Sequence, residues 1–169
     1  MKKLAKLFIQ AKQSSWGLWK LNFALKYGIP FNRPHGIKIK LLSDNKVQTY
    51  IPNWRINHNH IRGIHACGLA TVAEFCSGLL LLSRVNPVKY RLIMKELKMN
   101  YTFQAKSNTT ATFSLEESEF NRQIFQPLEK DGVVLFPAKI LLHDEENNLV
   151  AEAETLWQIK SWEKVKTKA

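Results

Sequence analysis

Cysteine and long apolar runs are both scarce in this chain of 169 residues. The only two cysteines, Cys67 and Cys76, lie nine residues apart in one predicted helix, too far apart for disulfide geometry, and indicate small core residues in a reducing compartment. The longest apolar run, 78–82, is far shorter than the roughly 20 residues that span a bilayer. The N-terminus also lacks the apolar core and cleavage site of a secretory signal. We therefore expect a single domain of ordinary size in the cytoplasm.

Acidic residues are absent from the first quarter of the chain. Residues 1–40 contain nine Lys or Arg, and the first acid is Asp44. Apolar side chains recur there at helical spacing, first at Leu4, Leu7, Phe8 and Ala11 and then at Trp16, Trp19 and Phe23. We expect a basic helical extension over residues 1–34 whose apolar side packs on the domain. The alternatives are a helix that rests on an anionic membrane surface through residues 1–27, and a cradle for coenzyme phosphates.

Nucleic acid is not an expected partner. The sequence pI near 9.7 supplies the positive charge that such binding needs, but no helix-turn-helix, zinc-finger or aromatic RNA-binding signature accompanies it.

Strand and helix signals beyond the extension alternate around one central helix. In chain order the expected elements are a hairpin over 37–42 and 47–54, a loop over 55–63, a helix over 65–82, strand-like runs over 90–105 and 109–115 joined at 106–108, a polar segment of helical character over 116–130, and a long hairpin over 132–143 and 149–162. This order predicts an α+β fold with an antiparallel sheet, in one domain over residues 35–169.

The predicted central helix carries one acid, Glu74, in the otherwise uncharged run HACGLATVAEFCSGLLLL over residues 65–82. A run that is apolar on nearly every face is typical of a buried helix. Because an ionised carboxylate is costly to bury, Glu74 should either hold a structural role, bonded to Ser77, Thr71 or a backbone group of a partner chain, or have a perturbed pKa that serves chemistry.

The spacing of polar residues around this helix predicts a shared site. His65 precedes Glu74 by nine residues, which places the two on opposite faces of one helix and about 13 Å apart along its axis. They cannot meet within one chain. If both serve one site, it lies between two copies of the protein, with Asn59 and His65 from one copy and Glu74 from the other.

A resemblance rests on these residues. Asn59, Gly63 and the pair His65-Ala66, with an acid nine residues after the histidine, resemble hotdog-fold acyl-CoA thioesterases of the phenylacetate type and their uncharacterised DUF4442-like relatives. The resemblance implies a hotdog fold, in which a curved antiparallel sheet wraps a central helix, and a homodimer or dimer of dimers. It also implies hydrolysis of a fatty or aryl acyl-CoA. Coenzyme A is then part of the substrate, and neither a separate cofactor nor a metal is expected.

The resemblance further implies a role for each residue. Glu74 is the general base or nucleophile, and the Ala66 amide at the helix start donates to the thioester oxyanion. Asn59 holds the attacking water or orients a backbone group, and His65 bonds the thioester oxygen or fixes the turn. The predicted oxyanion and substrate-binding set is completed by Gly63, Cys67 and, as a phosphate contact, Arg62. The chain departs from the family at Ala66, where the family usually has glycine. The β-carbon of Ala66 is then expected to crowd the approaching thioester carbonyl.

Other interpretations of the same loop and helix stay open. Asn59 is alternatively a loop residue that caps a turn, and Arg62 a surface charge. His58, His60 and His65 form a cluster that would need a further ligand to hold a metal, and solvated loop histidines are the simpler interpretation. Cys67 near the helix start is a conceivable nucleophile, although no base is evidently paired with it.

Several other functions compete with thioester hydrolysis. The hotdog dehydratase and hydratase patterns fit less well, because no proline lies between Pro52 and Pro87 and no aspartate between Asp44 and Asp131. Outside catalysis, the rivals are a non-catalytic acyl-chain or acyl-CoA binding module and a membrane-surface adaptor.

Overall fold

The structure, a computed structural model, describes residues 2–165, with the side chain of Lys2 excepted. Met1 and residues 166–169, at the outer ends of the predicted segments, lie outside the described residues. The helices are α1 (Lys2–Gln13), α2 (Ser15–Gly28), α3 (Ala66–Arg84), α4 (Glu117–Phe120) and α5 (Gln126–Asp131), with a π-helical turn Asn121–Phe125 between the last two. The strands are β1 (Lys38–Leu42), β2 (Lys46–Ile51), β3 (Tyr90–Tyr101), β4 (Thr109–Ser114), β5 (Val133–His143) and β6 (Leu149–Ser161).

All six strands belong to one antiparallel sheet in the order β1-β2-β4-β5-β6-β3. Helix α3 packs across this sheet, mainly on β2 and β4. Its residues Val72, Ala73, Cys76 and Leu80 are completely buried. The predicted α+β hotdog arrangement, with one central helix, a curved antiparallel sheet and an N-terminal helical part, is confirmed. The division of the chain at residues 34 and 35 stays a prediction.

Helix α3 begins and ends close to the predicted limits. The Nδ1 atom of His65 accepts a hydrogen bond from the Cys67 amide and so caps the first turn. The helix ends at Arg84, shortly before Pro87, which cannot continue it. By length and composition alone α3 could cross a membrane, but half of it is buried inside the domain, and a buried core helix meets the same criteria.

The prediction for the strand-like runs after α3 was partly wrong. Strand β3 ends at Tyr101 rather than at Ala105, and it pairs with β6, whereas β4 lies between β2 and β5. Beyond Tyr101 the chain leaves the sheet to support the loop before α3. The carbonyl of Ala105 accepts a hydrogen bond from the Ile64 amide at 2.8 Å, and Gln104 Nε2 donates to the Ile61 carbonyl at 3.0 Å.

The N-terminal helices follow the prediction only in part. Helix α1 buries Phe8 and Ala11 against the domain, as expected. Helix α2 instead buries its opposite side, at Leu21. The expectation that its aromatic patch packs on the domain is therefore wrong, because three residues are more than half exposed: Trp16, Trp19 and Phe23.

Candidate active site

Glu74 stands in the middle of α3 beside an open, largely apolar groove of about 540 Å³. The groove is lined on several sides by Phe31, Cys67, Thr71, Phe75, Met94 and Leu97. Glu74 is partly buried, and desolvation raises the pKa of its carboxyl above the ordinary value of glutamate, because burial penalises the charged form. Helix α3 thus places an acid with a raised pKa beside a surface that suits an apolar ligand.

The Glu74 carboxylate has no hydrogen-bonding or ion-pairing partner within residues 2–165. The hydroxyls that a structural role would use are engaged with backbone carbonyls. Ser77 Oγ donates to the carbonyl of residue 74 itself at 3.3 Å, and Thr71 Oγ1 donates to the Cys67 carbonyl at 2.8 Å. A desolvated acid without a partner in its own chain is typical of a ligand-binding or catalytic position.

The start of α3 leaves one backbone amide for a ligand. The Cys67 amide donates to His65 Nδ1 at 3.1 Å, and the Gly68 amide donates to the His65 carbonyl at 2.9 Å. Ala66 is the first helical residue, so its N–H has no intrahelical acceptor. A helix N-terminus carries partial positive charge and favours an oxyanion there.

Asn59 holds the loop before α3 together. Its side-chain Oδ1 atom accepts hydrogen bonds from the backbone amides of Ile61 at 3.0 Å and Gly63 at 3.1 Å. The backbone amide of Asn59 donates to the Gly63 carbonyl. Arg62, at the tip of this turn, is exposed and has a left-handed backbone with φ of 61°. Gly63 lies in a closely packed place, since a β-carbon there would lie 3.0 Å from Gln104 Cγ and 3.2 Å from the Ala105 carbonyl oxygen.

A second cavity, of about 380 Å³, opens beside the start of α3. Its lining includes Asn59, Ala66, Leu69, Tyr101 and Gln104. The Tyr101 hydroxyl donates to the Ala66 carbonyl at 3.0 Å, which ties the end of β3 to the helix start. Sequence reasoning missed Tyr101, because only the path of β3 brings it here.

Four of the predicted site residues divide between two places in one chain, whereas His65, Gly63 and Arg62 line neither cavity. Asn59 and Ala66 line the cavity at the helix start, whereas Cys67 and Glu74 line the groove. Ala66 and Glu74 are separated by about 12 Å along the helix axis. One chain alone does not bring the amide and the acid together, as the spacing predicted.

His58, His65 and Cys76 are engaged in local structure. His58 Nε2 bonds Asn53 Oδ1 at 2.8 Å, and within the described residues no group of three His, Cys, Asp or Glu side chains is placed to hold a metal. The buried Cys76 thiol donates to the Ala111 carbonyl, and burial raises its pKa to about 12, so it is not a nucleophile. Cys67 is exposed.

Comparisons with known proteins give a family and a set of similar folds. The model of the family described as Domain of unknown function (DUF4442) matches residues 17–159. A Pseudomonas aeruginosa protein, described as of unknown function and a probable thioesterase, is 26% identical with a TM-score of 0.77, over 83% of this chain and 93% of its own. A thioesterase from Haemophilus influenzae is 14% identical with a TM-score of 0.69, over 89% and 94%. A protein of unknown function from Chlorobaculum tepidum is 14% identical with a TM-score of 0.72, over 83% and 92%. No curated protein matches the chain.

Proposed function

Because the chain belongs to the DUF4442 family of hotdog proteins, we propose that it is a thioesterase that hydrolyses a fatty or aryl acyl-CoA. The observation that carries the proposal is the desolvated, unpartnered carboxylate of Glu74 beside an apolar groove. The name of the Pseudomonas protein supports the same activity at 26% identity. The Haemophilus thioesterase is too distant in sequence to add more than its fold.

The proposed reaction uses the two groups that the site offers. Glu74 accepts a proton from water, whose oxygen attacks the thioester carbonyl, or its carboxylate attacks that carbonyl directly and forms an acyl anhydride that water then hydrolyses. The Ala66 amide donates to the oxygen as negative charge develops on it. The carbon–sulfur bond then breaks, a proton passes to the coenzyme thiolate, and the products are a carboxylic acid and a free thiol. The apolar walls of the groove suit the acyl chain.

The position of β3 supports a site that is shared between two subunits. This strand is an edge of the sheet, so one row of its backbone groups is unpaired within residues 2–165. Its end is tied to the start of α3 by Tyr101, while Met94 and Leu97 lie on the Glu74 groove. If β3 pairs with its copy across a two-fold axis, the partner's helix start approaches the half of β3 that borders Glu74. A homodimer thus supplies the amide that the groove lacks.

The activity is tested by assaying free thiol release from a panel of acyl-CoA esters of different chain length. We expect Glu74→Gln to lower kcat/KM by about 10²- to 10⁴-fold, as for loss of a general base. The matched control is Glu119→Gln, which neutralises an exposed acid on α4 and should leave the rate unchanged. Binding of acyl-CoA without thiol release by the unmodified protein would favour the non-catalytic module instead.

The proposed role of the Ala66 amide as oxyanion donor is tested with two substitutions, one that removes the N–H and one that keeps it. Ala66→Pro removes the N–H but suits the first helical position, and His65 already has the extended backbone, with ψ of 141°, that a residue before proline prefers. We expect a loss of about 10²- to 10³-fold in kcat. Ala66→Gly keeps the N–H and should keep the activity. Equal rates for Ala66→Pro and Ala66→Gly would refute the role of this amide.

Sharing between subunits is tested by mixing the two inactive variants. After unfolding and refolding together, Ala66→Pro and Glu74→Gln chains should form mixed dimers in which one of the two sites has both groups intact. Random pairing then restores about a quarter of the activity per dimer. No recovery, with mixed dimers demonstrated by mass spectrometry, would place both groups in one subunit.

A further inference from the structure

Helix α2 carries a row of exposed aromatic side chains, here called the aromatic ridge: Trp16, Trp19, Phe23 and Tyr27. Each is more than half exposed, at 61%, 54%, 52% and 54% in that order. Neighbouring ring centroids lie 4.7, 5.6 and 5.1 Å apart, with the first three rings stacked and Tyr27 tilted by 59° to Phe23, so the rings form one continuous surface. Soluble domains seldom leave so much aromatic surface uncovered without a partner for it.

The ridge is held rigidly by the opposite side of α2. Leu21 is completely buried there. The Asn22 carboxamide bonds the backbone of Ile39 in β1 twice, donating to its carbonyl at 3.0 Å and accepting from its amide at 2.7 Å. These contacts orient the aromatic rings outward as a fixed feature of the fold.

Positive charge surrounds the ridge. The Lys20 amine lies 5.2 Å from the Trp16 ring centroid, and the Arg33 guanidinium lies 5.2 Å from that of Tyr27. Lys26 is exposed between them along the helix. No Asp or Glu occurs before Asp44, whose carboxylate pairs with Lys12 at 2.9 Å. The partner that this surface fits must therefore be both apolar and anionic.

We propose that the aromatic ridge docks the protein on the surface of an anionic lipid bilayer. Tryptophan and tyrosine favour the boundary between headgroups and acyl chains, and flanking Lys and Arg side chains favour anionic headgroups. A second copy of the chain fits less well, because its ridge would bring a like-charged set of basic residues face to face.

The ridge continues toward the Glu74 groove. Tyr27 is followed by Ile29 and Phe31, which line that groove, and Phe31 is 64% exposed. If the proposed hydrolysis is correct, a docked molecule receives an amphiphilic acyl-CoA at the bilayer surface and passes its chain along Phe31 to Glu74. Docking itself does not depend on this second step.

Docking is tested by sedimentation of the full chain with vesicles. We expect the protein to sediment with phosphatidylcholine vesicles that contain about one third phosphatidylserine and to remain largely in solution with pure phosphatidylcholine. Salt near 1 M, where the Debye length is about 3 Å, should weaken this binding. A Trp16→Ser and Trp19→Ser double variant should bind at least about tenfold more weakly, and Leu135→Ser, which removes an exposed apolar residue of β5, should bind normally.

The charge contribution is tested by a matched pair of double variants. Lys20→Gln with Lys26→Gln should weaken binding roughly fivefold per side chain, whereas Lys106→Gln with Lys130→Gln should change it little. The proposal fails if ridge and control variants bind alike, or if the wild type binds neither vesicle. It also fails if the tryptophan variants change the mass of the protein in solution without lipid, since the ridge then joins copies of the chain. Thiol release by the wild type, assayed without lipid, reports the proposed hydrolysis separately.

Discussion

At the scale of single residues, surroundings rather than identity set the properties of the candidate site. The placing of Glu74 in an apolar helix left a structural role and a perturbed pKa open, and in the structure the carboxyl is partly buried and desolvation raises its pKa. The engagement of Asn59 Oδ1 by two amides agrees with the interpretation that Asn59 caps a turn, while the choice of amides depends on the path of the loop and on the left-handed backbone of Arg62. Asn59 therefore acts on the site by shaping this loop.

Glu74→Gln should stabilise the protein at neutral and higher pH. Because the folded pKa of Glu74 is raised above its unfolded value, the folded chain holds this proton more tightly. Stability is then lost as pH rises from the ordinary glutamate pKa through the folded one, and the full penalty persists above it. At about pH 8, urea unfolding should give Glu74→Gln a higher free energy of unfolding than the wild type, and this difference should shrink at about pH 4. A constant difference across this range would contradict a desolvated acid.

Arg62→Gly should stabilise the turn before α3. A left-handed backbone costs a residue with a β-carbon about 1–2 kcal/mol, of which the greater freedom of unfolded glycine cancels part, so a net gain near 0.5 kcal/mol is expected. Asn147 is the matched control, with φ of 64°, because asparagine tolerates this conformation and Asn147→Gly should gain less. Chemical denaturation without ligand compares the two variants. An equal or larger gain at Asn147 would contradict strain at Arg62.

At the scale of elements, local pattern predicted what lies within a segment but not where the segment lies. Helix α3 could be predicted from its apolar run and its breakers. The order of the sheet could not, because the pairing of β3 with β6 is set by contacts between distant segments. The orientation of α2 was missed for a related reason. Its aromatic residues satisfy a helical stripe, yet Asn22 bonds Ile39 and turns the other side inward.

The packing of α3 on β6 depends on Ser77. Its buried Oγ accepts a hydrogen bond from Trp157 Nε1 at 3.0 Å and lies 3.2 Å from Thr155 Oγ1. Ser77→Ala leaves the buried indole N–H without an acceptor and should cost about 1–3 kcal/mol of unfolding free energy. Ser83→Ala removes a hydroxyl that bonds only the Leu80 carbonyl of the same helix, and should cost less than about 1 kcal/mol. Equal costs in urea unfolding would exclude this role.

At the scale of the whole molecule, the two halves of the proposed site lie apart in one protomer, and one edge of the sheet, β3, is unpaired within residues 2–165. The Ala66 amide and the Glu74 acid open on different cavities, and β3 presents twelve residues of edge strand between them. Pairing of two such edges would cover the exposed strand and bring the two half-sites toward each other. Assembly and activity should therefore be lost together.

Lys95→Pro should separate the subunits and leave the protomer folded. Lys95 lies in the β3 bulge between Met94 and Glu96, where it has no pairing position on β6, and proline is tolerated at bulges but disfavours further strand pairing. Lys40→Pro makes the same change in the bulge of β1, on the opposite edge of the sheet. Analytical ultracentrifugation should give Lys40→Pro twice the chain mass of 19.6 kDa and Lys95→Pro a single chain mass. Since the Glu74 groove then lacks a partner's amide, Lys95→Pro should also lose thiol release, and full activity in a proven monomer would overturn the shared site.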